Sequence, residues 1–536
     1  MTFAVREVSK RLKEYLWREL KNFSAWEGDA TFLWTRWLIL RAVGLVYILI
    51  FGNIIVESAT LVGPDGVAPL NAIMAAMREL YPQALEGFLR APSLFWLSHS
   101  PGMITLLEWT GLAAAVGVVL NLWPRLTLFI CWACFLSFVA LGHFFSATQP
   151  DQLMLEVALL CIPLAPAGWR PGLGVKAAPR RIAVFALRWM FIRLMFEAGL
   201  AKFVFGAAMW RDLTAMDVMY ETAPFPTIVG YLLHQLPHMF HGFEIAVTFV
   251  AEIPAPFLAV FGGRRGRWIA FWSWCALQGG IQITCNFAWL NVAAIALGLV
   301  LLDDQMLASL LRRLRLPKLG DALLVRVKSV SILPSRPWAK WGLRVALGAQ
   351  FALGLYFYVV SPVRLSPDRV PAFINEPVNL LFGNWRSMNS YALFGNLPAI
   401  RYDVEFMGSN DGGETWRSYE YFYKVQRVDL IPPFIAPWYP RFEAILQSTM
   451  ISSTDPTLYQ SVAAQLLRRS PVVMARFRSD PFPDRPPTMV RIPTYRYAMN
   501  DFATWRATGH YWRKEYAGEY TAMMYLNDRG EVNASE

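Results

Sequence analysis

Residues 182–202 read IAVFALRWMFIRLMFEAGLAK, an apolar run that nonetheless carries Arg188, Arg193, Glu197 and Lys202. About 20 apolar residues suffice to carry a helix through roughly 30 Å of hydrocarbon. Ionisable side chains inside such a run are costly unless they face protein or water, so they mark candidate functional positions. Arg193 and Glu197 are i, i+4 neighbours on one helical face and are expected to neutralise one another. Lys202 stands near the outer end, where it either snorkels to water or, desolvated, serves as a base. Glu108, Glu156, Glu244 and Glu252 are partners available elsewhere in the chain.

Working outward, eight similar runs lie near 37–55, 104–122, 126–143, 151–168, 243–262, 268–284, 287–303 and 341–361. The expected fold is an α-helical multi-pass membrane bundle of about nine spans. The first run is no signal peptide, since it follows a long polar arm and lacks a small-residue cleavage site. Composition agrees: of 536 residues, 55% are hydrophobic and 17% charged, against about 25% charged in ordinary soluble domains. The formal charge of +11 raises a nucleic-acid reading. Its distribution answers that. Arg6, Lys10, Arg11, Lys13, Arg18 and Lys21 precede the first span, and further basic groups fall at Arg125, at Arg170–Arg181, at Arg264–Arg267 and between Arg312 and Lys340. The alternate loops hold Arg78, Arg90 and Arg211. The asymmetry predicts a cytoplasmic N-terminus and an extracytoplasmic C-terminal segment. No nucleic acid is expected as a partner, and the bilayer is.

Three regions follow: a basic cytoplasmic arm (1–32), a transmembrane domain (33–361) with an extracytoplasmic loop at 203–242, and a β-rich extracytoplasmic domain (362–536). In the last, RYDVEF from Arg401 and WRSYEYFYK ending at Lys424 alternate as a β-hairpin. Val472–Arg478 and the stretch near Tyr495 also read as strands, while 446–468 suits a helix. Between the hairpin arms, Ser409–Trp416 fits S-x-D-x-G-x-T-W, the Asp-box pattern. Its Ser and Asp oxygens can bind turn N–H groups while glycines supply positive φ. Cys131 and Cys134 match C-x-x-C, but a hydrocarbon setting suppresses the thiolate that redox chemistry needs. All five cysteines are expected to be packing residues. No P-loop, nucleotide fingerprint or nucleophile elbow is present.

Trp210–Glu244 (WRDLTAMDVMYETAPFPTIVGYLLHQLPHMFHGFE) gathers His234, His238 and His241 with Asp212, Asp217 and Glu221. The four-residue histidine spacing suits metal ligation on a helix, yet Pro237 interrupts it. No metal is expected. The loop reads instead as an amphipathic interfacial segment with aromatic anchors.

Arg188–Lys202, Trp210–Thr214 (WRDLT), Tyr220–Thr222 (YET), Tyr231–His234 (YLLH), Asn389–Gly395 (NSYALFG), Gly408–Gly412 (GSNDG) and Tyr419–Lys424 (YEYFYK) occur in one order. In these stretches the chain resembles the lipase maturation factor family. It departs from that pattern at Glu197, where a small residue is expected, and at Phe203–Met209. The resemblance implies a multi-pass membrane protein that helps dimeric lipases of the lipoprotein lipase type reach an active state. It makes Trp210, Arg211, Asp212, Tyr220, Glu221, His234, Asn389 and Tyr391 the candidate client- or ligand-binding residues. Residues Ala198–Lys202 are also similar, more distantly, to the A-G-x-x-K helix end of vitamin K-dependent γ-carboxylases.

Two functions are therefore expected. One is a membrane maturation factor for exported, lipase-like clients, acting without a cofactor. It would reside in the inner membrane of a bacterium or the endoplasmic reticulum of a eukaryote. The other is a membrane-embedded enzyme with Lys202 as base on a lipid, a quinone or an exported protein, tuned by Arg193 and Glu197.

Overall fold

The computed structural model describes residues 2–24, 31–142, 145, 149–327, 337–360, 371–452, 455–527 and 531–535. Lys328, Arg336 and residues 361–370, which entered the charge and domain expectations, lie outside these. A helix covers each of the nine apolar runs. After an amphipathic α1 (Thr2–Phe23) come α2 (Leu33–Val62), α3 (Pro101–Val119), α4 (Pro124–Val139), α5 (Gln149–Leu164) and α6 (Arg181–Leu200). Then follow α7 (His238–Glu252), α8 (Pro254–Phe261), α9 (Gly263–Cys285) and α10 (Leu290–Gly298). An amphipathic pair, α11 (Asp304–Arg313) and α12 (Pro317–Val327), leads to α13 (Pro337–Val360).

Among the described residues, three helical stretches are long and apolar enough to cross a membrane unaided: Leu33–Val62, Pro101–Leu120 and His238–Phe261. Leu290–Leu301 with Asp304–Arg313 makes a fourth if that pair, bent by 107°, is one span. This is fewer than nine, and for three of the helices the reason is plain. Helices α4 and α5 have 16 residues each, or about 24 Å of length. Helix α6 is long enough but carries charge, which it buries against protein.

Small residues let the helices approach closely. A Cβ on Gly111 would stand 2.2 Å from the Phe51 ring, and one on Gly199 would stand 2.8 Å from Glu252 and Ile253. Successive helices present alternate ends to two faces. On one face Arg36 donates to the Leu173, Gly174 and Ala177 carbonyls, Arg125 to Ala165, and Arg188 to Phe23 and Val300. The other face carries the C-terminal region.

That region is mixed. The strands are β1 (Arg401–Val404), β2 (Phe406–Ser409), β3 (Arg417–Tyr419), β4 (Met489–Arg491), β5 (Pro493–Met499), β6 (Trp512–Glu519), β7 (Met524–Leu526) and β8 (Val532–Ala534). They form two antiparallel sheets, β1-β5-β6 and β3-β2-β4-β7-β8. Both long ribbons change sheet at one residue, Glu405 and Ile492 respectively. The expected single hairpin is thus corrected: β1 joins β5, and the hairpin proper is β2–β3. The Asp-box makes its turn, with Ser409 Oγ taking the Gly413 N–H and Asp411 taking the Thr415 N–H. Those bonds, chiefly from Thr415, hold the Asp411 carboxyl well below its ordinary range.

Residues 472–478 are not a strand. Ser470 and Pro471 start a short helix, Pro471–Met474, and a lone bridge joins Phe477 to Tyr421. The helix expected at 446–468 is two, α14 (Arg441–Ser452) and α15 (Thr457–Leu467). Together they cover the sheet through Phe406, Tyr421, Phe442, Tyr459 and Phe477.

Candidate functional site

The C-terminal region sits on the bundle through buried carboxylates. Near the outer end of α2, Glu57 accepts the Phe442 N–H at 2.7 Å, and Asn53 donates to the Tyr439 carbonyl. At the start of α5, Asp151 receives both terminal nitrogens of Arg441 at 2.8 and 2.9 Å, entirely buried. One turn further on, Glu156 takes Arg193 at 2.6 Å, the Asn389 N–H at 3.0 Å and the Tyr391 hydroxyl at 2.8 Å. Glu197 accepts the Tyr391 N–H.

The pairing expected within α6 is therefore corrected. Arg193 turns to Glu156 on α5, while Glu197 accepts from the 389–395 loop through one oxygen. That loop is wedged between α5, α6 and the chain after α6, and Phe394 holds a left-handed backbone there, φ 54°. The Trp210 indole donates to the Phe394 carbonyl at 2.9 Å, and the Ala207 N–H donates to Gly395.

Lys202 neither snorkels nor stands free. It lies in a π-helical turn, Ala201–Phe205, that continues α6. It is 3% exposed, with Nζ 2.8 Å from each Glu252 oxygen and 5.4 Å from the Trp210 ring centroid. The carboxylate of Glu252 thus holds the Lys202 nitrogen through both oxygens.

The loop between α6 and α7 folds into short helices, Ala208–Arg211, Ala215–Thr222 and Ile228–His234. Its polar groups pair internally. Tyr220 donates to Glu244 at 2.6 Å, His241 lies 3.0 Å from the same carboxylate, and His238 meets Asp217 at 2.9 Å. Glu221 takes the Met499 N–H at 2.7 Å, and Arg401 caps the Glu221 and Ala223 carbonyls. Burial raises the Glu221 carboxyl and lowers the neighbouring His234. No group of three or more His, Cys, Asp or Glu among the described residues is arranged to hold a metal ion.

Trp210, Tyr220, Asn389 and Tyr391 are buried, so they support a surface instead of forming one. Arg211 and Asp212 are exposed, and Glu221 and His234 are half-buried at the junction of loop and sheet. Sequence spacing passed over Glu57 and Asp151. Their signal was present: an acid inside an apolar run needs a partner, and Arg441 of the C-terminal region supplies one for Asp151.

These contacts define a class: a helical membrane bundle bearing a docked α/β region through buried charge. Residues 34–309 match the lipase maturation factor transmembrane domain, and residues 387–522 match the lipase maturation factor C-terminal domain. Human lipase maturation factor 1 is 27% identical, covering 93% of this chain and 90% of its own length. Lipase maturation factor 1 of Bos taurus is 27% identical over 95% and 92% respectively, and human lipase maturation factor 2 is 27% identical over 92% and 83%. No solved structure matches. This chain belongs to the lipase maturation factor family, and it is an integral membrane protein.

Proposed function

We propose that the chain is a membrane maturation factor for exported lipases, acting as a non-catalytic scaffold that needs no cofactor. In this reading the chain crosses the bilayer nine times, with the N-terminus cytoplasmic and residues 371–535 on the opposite side. The alternation of helix ends and the placing of basic residues support that topology. The observation that carries the function is the charged seat itself: Glu57, Asp151, Glu156 and Glu197 hold the C-terminal region at one fixed attitude on the bundle. Arg193, Glu197 and Lys202 are positioning residues there, with Asn389 and Tyr391 as the inserted plug.

The client surface is the seam where Gln235 donates to the Asn500 carbonyl at 3.2 Å and Tyr231 meets Phe502 edge-on. Leu232, Leu236 and Phe502 are exposed beside it, as an apolar docking patch requires. Arg211 and Asp212, exposed on the same loop, supply its polar part.

The test is co-expression of a dimeric lipase of the lipoprotein lipase type in cells lacking their own maturation factor. Lipase activity per mass of secreted lipase is expected to rise with the full chain and to fall with Leu232→Asp/Phe502→Asp at equal factor abundance. Activity indifferent to the chain would overturn the reading.

A further inference from the structure

At the end of the bundle away from the C-terminal region, α11 and α12 form an amphipathic hairpin held rigidly in place. Asp303 caps α11 through the Met306 N–H at 2.9 Å and pairs with Arg267 at 3.3 Å. Asp304 takes the Leu33 and Trp34 N–H groups, and the Trp34 indole donates to the Leu323 carbonyl. The 107° bend after Leu301 lays α11 across the bundle end.

The outer side of this hairpin is unusual for a water-facing surface. Leu314, Leu316, Leu319 and Val325 are 60, 49, 55 and 66% exposed. Leu319, Ala322 and Val325 share the exposed arc of α12 with Lys318, Arg326 and Asp321, the last paired to Arg312 at 2.8 Å. Arg313, Arg315 and Lys318 flank them, and among the described residues none has an acidic partner within ion-pair distance.

The turn adds an independent observation. Leu316 N–H returns to the Leu311 carbonyl and Arg315 N–H to Arg312, which is a Schellman closure. Its left-handed position, φ 61°, is filled by Arg315 where glycine would be unstrained. The turn therefore carries a cation at the hairpin tip.

We infer that this hairpin is an interfacial anchor: its leucines and Val325 enter the acyl boundary while Arg313, Arg315 and Lys318 bind the phosphates of anionic phospholipid. Apolar insertion beside a basic cluster is the combination that anionic bilayer surfaces select. The anchor rests on the membrane reading above and adds a lipid partner to it. It fixes the height of the bundle in the bilayer from the side opposite the seat.

The experiment uses the full chain in vesicles of phosphatidylcholine, with and without about 30 mol% phosphatidylglycerol. Bimane on Leu319→Cys or Val325→Cys is expected to be quenched by shallow doxyl lipid and shielded from iodide. Bimane on Gly412→Cys, in the Asp-box turn, should behave oppositely. Iodide quenching at 319 and 325 equal to that at 412 would overturn the anchor. Retention of phosphatidylglycerol through purification should fall about twofold or more in Arg313→Gln/Arg315→Gly/Lys318→Gln. Unchanged retention would overturn the headgroup assignment. Arg315→Gly alone relieves the strained turn, so its melting temperature should not fall and it separates lost binding from lost folding. An impermeant maleimide reaching Ser309→Cys on α11 and Gly412→Cys from the same side would overturn the topology, independently of the quenching result.

Discussion

The two ends of the helical bundle use their buried charges differently. At the end beneath the sheets, Glu57, Asp151, Glu156 and Glu197 accept hydrogen bonds from another part of the chain. At the far end, Arg36, Arg125, Arg188 and Arg267 donate to backbone carbonyls where helices and loops finish. The second arrangement is local repair, since the last carbonyls of a helix lack partners and favour a cation. The first is assembly: a carboxylate in an apolar bundle is tolerable only when another element supplies donors. The arginines finish the bundle, and the acids recruit the domain above it.

The largest expected effect breaks the acidic end. Arg441→Met takes the guanidinium from the buried Asp151 carboxylate, which costs about 3–5 kcal/mol, measurable as a fall in melting temperature in detergent. Asp151→Asn/Arg441→Met should recover most of it, because the uncompensated charge is gone. If the double variant melts as low as the single one, the pair is not what seats the domain.

Lys202 sharpens the comparison at the edge of the same end. Lys202→Met strands the Glu252 carboxylate, so a loss of similar size, about 3–5 kcal/mol, is expected. Lys202→Met/Glu252→Gln should restore both abundance and client activation. A base could not be restored this way: abundance regained with activation still absent would return the enzymatic reading to Lys202.

Breaking the far end costs less. Arg188→Met frees carbonyls at the ends of α1 and of the 3-10 turn after α10, but it also removes a buried charge. About 1–3 kcal/mol is expected, again read from melting, with the seat intact.

A pH dependence within the C-terminal region tests the molecule away from both ends. Burial pushes the Glu443 carboxyl up to about 7, although the Phe422, Tyr423 and Lys424 N–H groups all point at it. A carboxyl raised in the folded state binds its proton more readily there than in the unfolded chain. Stability should therefore rise as pH falls through about 7 towards the ordinary value near 4.5. Comparing the melting slope of the parent with Glu443→Gln isolates this group, and identical slopes would contradict it.

Much of the helical architecture was legible because apolar length and basic asymmetry are additive signals along the chain. Family membership was legible in short ordered motifs such as NSYALFG and YEYFYK. The partners of charge were not. Arg193 has Glu197 four residues away, the partner that sequence spacing offers, yet the Tyr391 N–H takes Glu197 and Arg193 crosses to α5. Spacing on one helix cannot encode a loop inserted from almost two hundred residues downstream. The strand expected at 472–478 failed for a different reason. Its β-branched pair follows Ser-Pro, which starts a helical turn, and packing of Phe477 against Tyr421 and Phe442 settles the rest. The alternation in RYDVEF was read correctly in kind, but the change of sheet at Glu405 depends on which strand lies opposite.

The proposed function requires that seating the C-terminal region on the acidic end creates the client-handling surface. The most direct measurement is activity per mass of a secreted dimeric lipase, with the parent chain, Arg441→Met and Asp151→Asn/Arg441→Met at matched abundance. The account predicts loss with the single variant and recovery with the double. Full lipase activity with Arg441→Met, alongside a melting curve showing the seat opened, would contradict it.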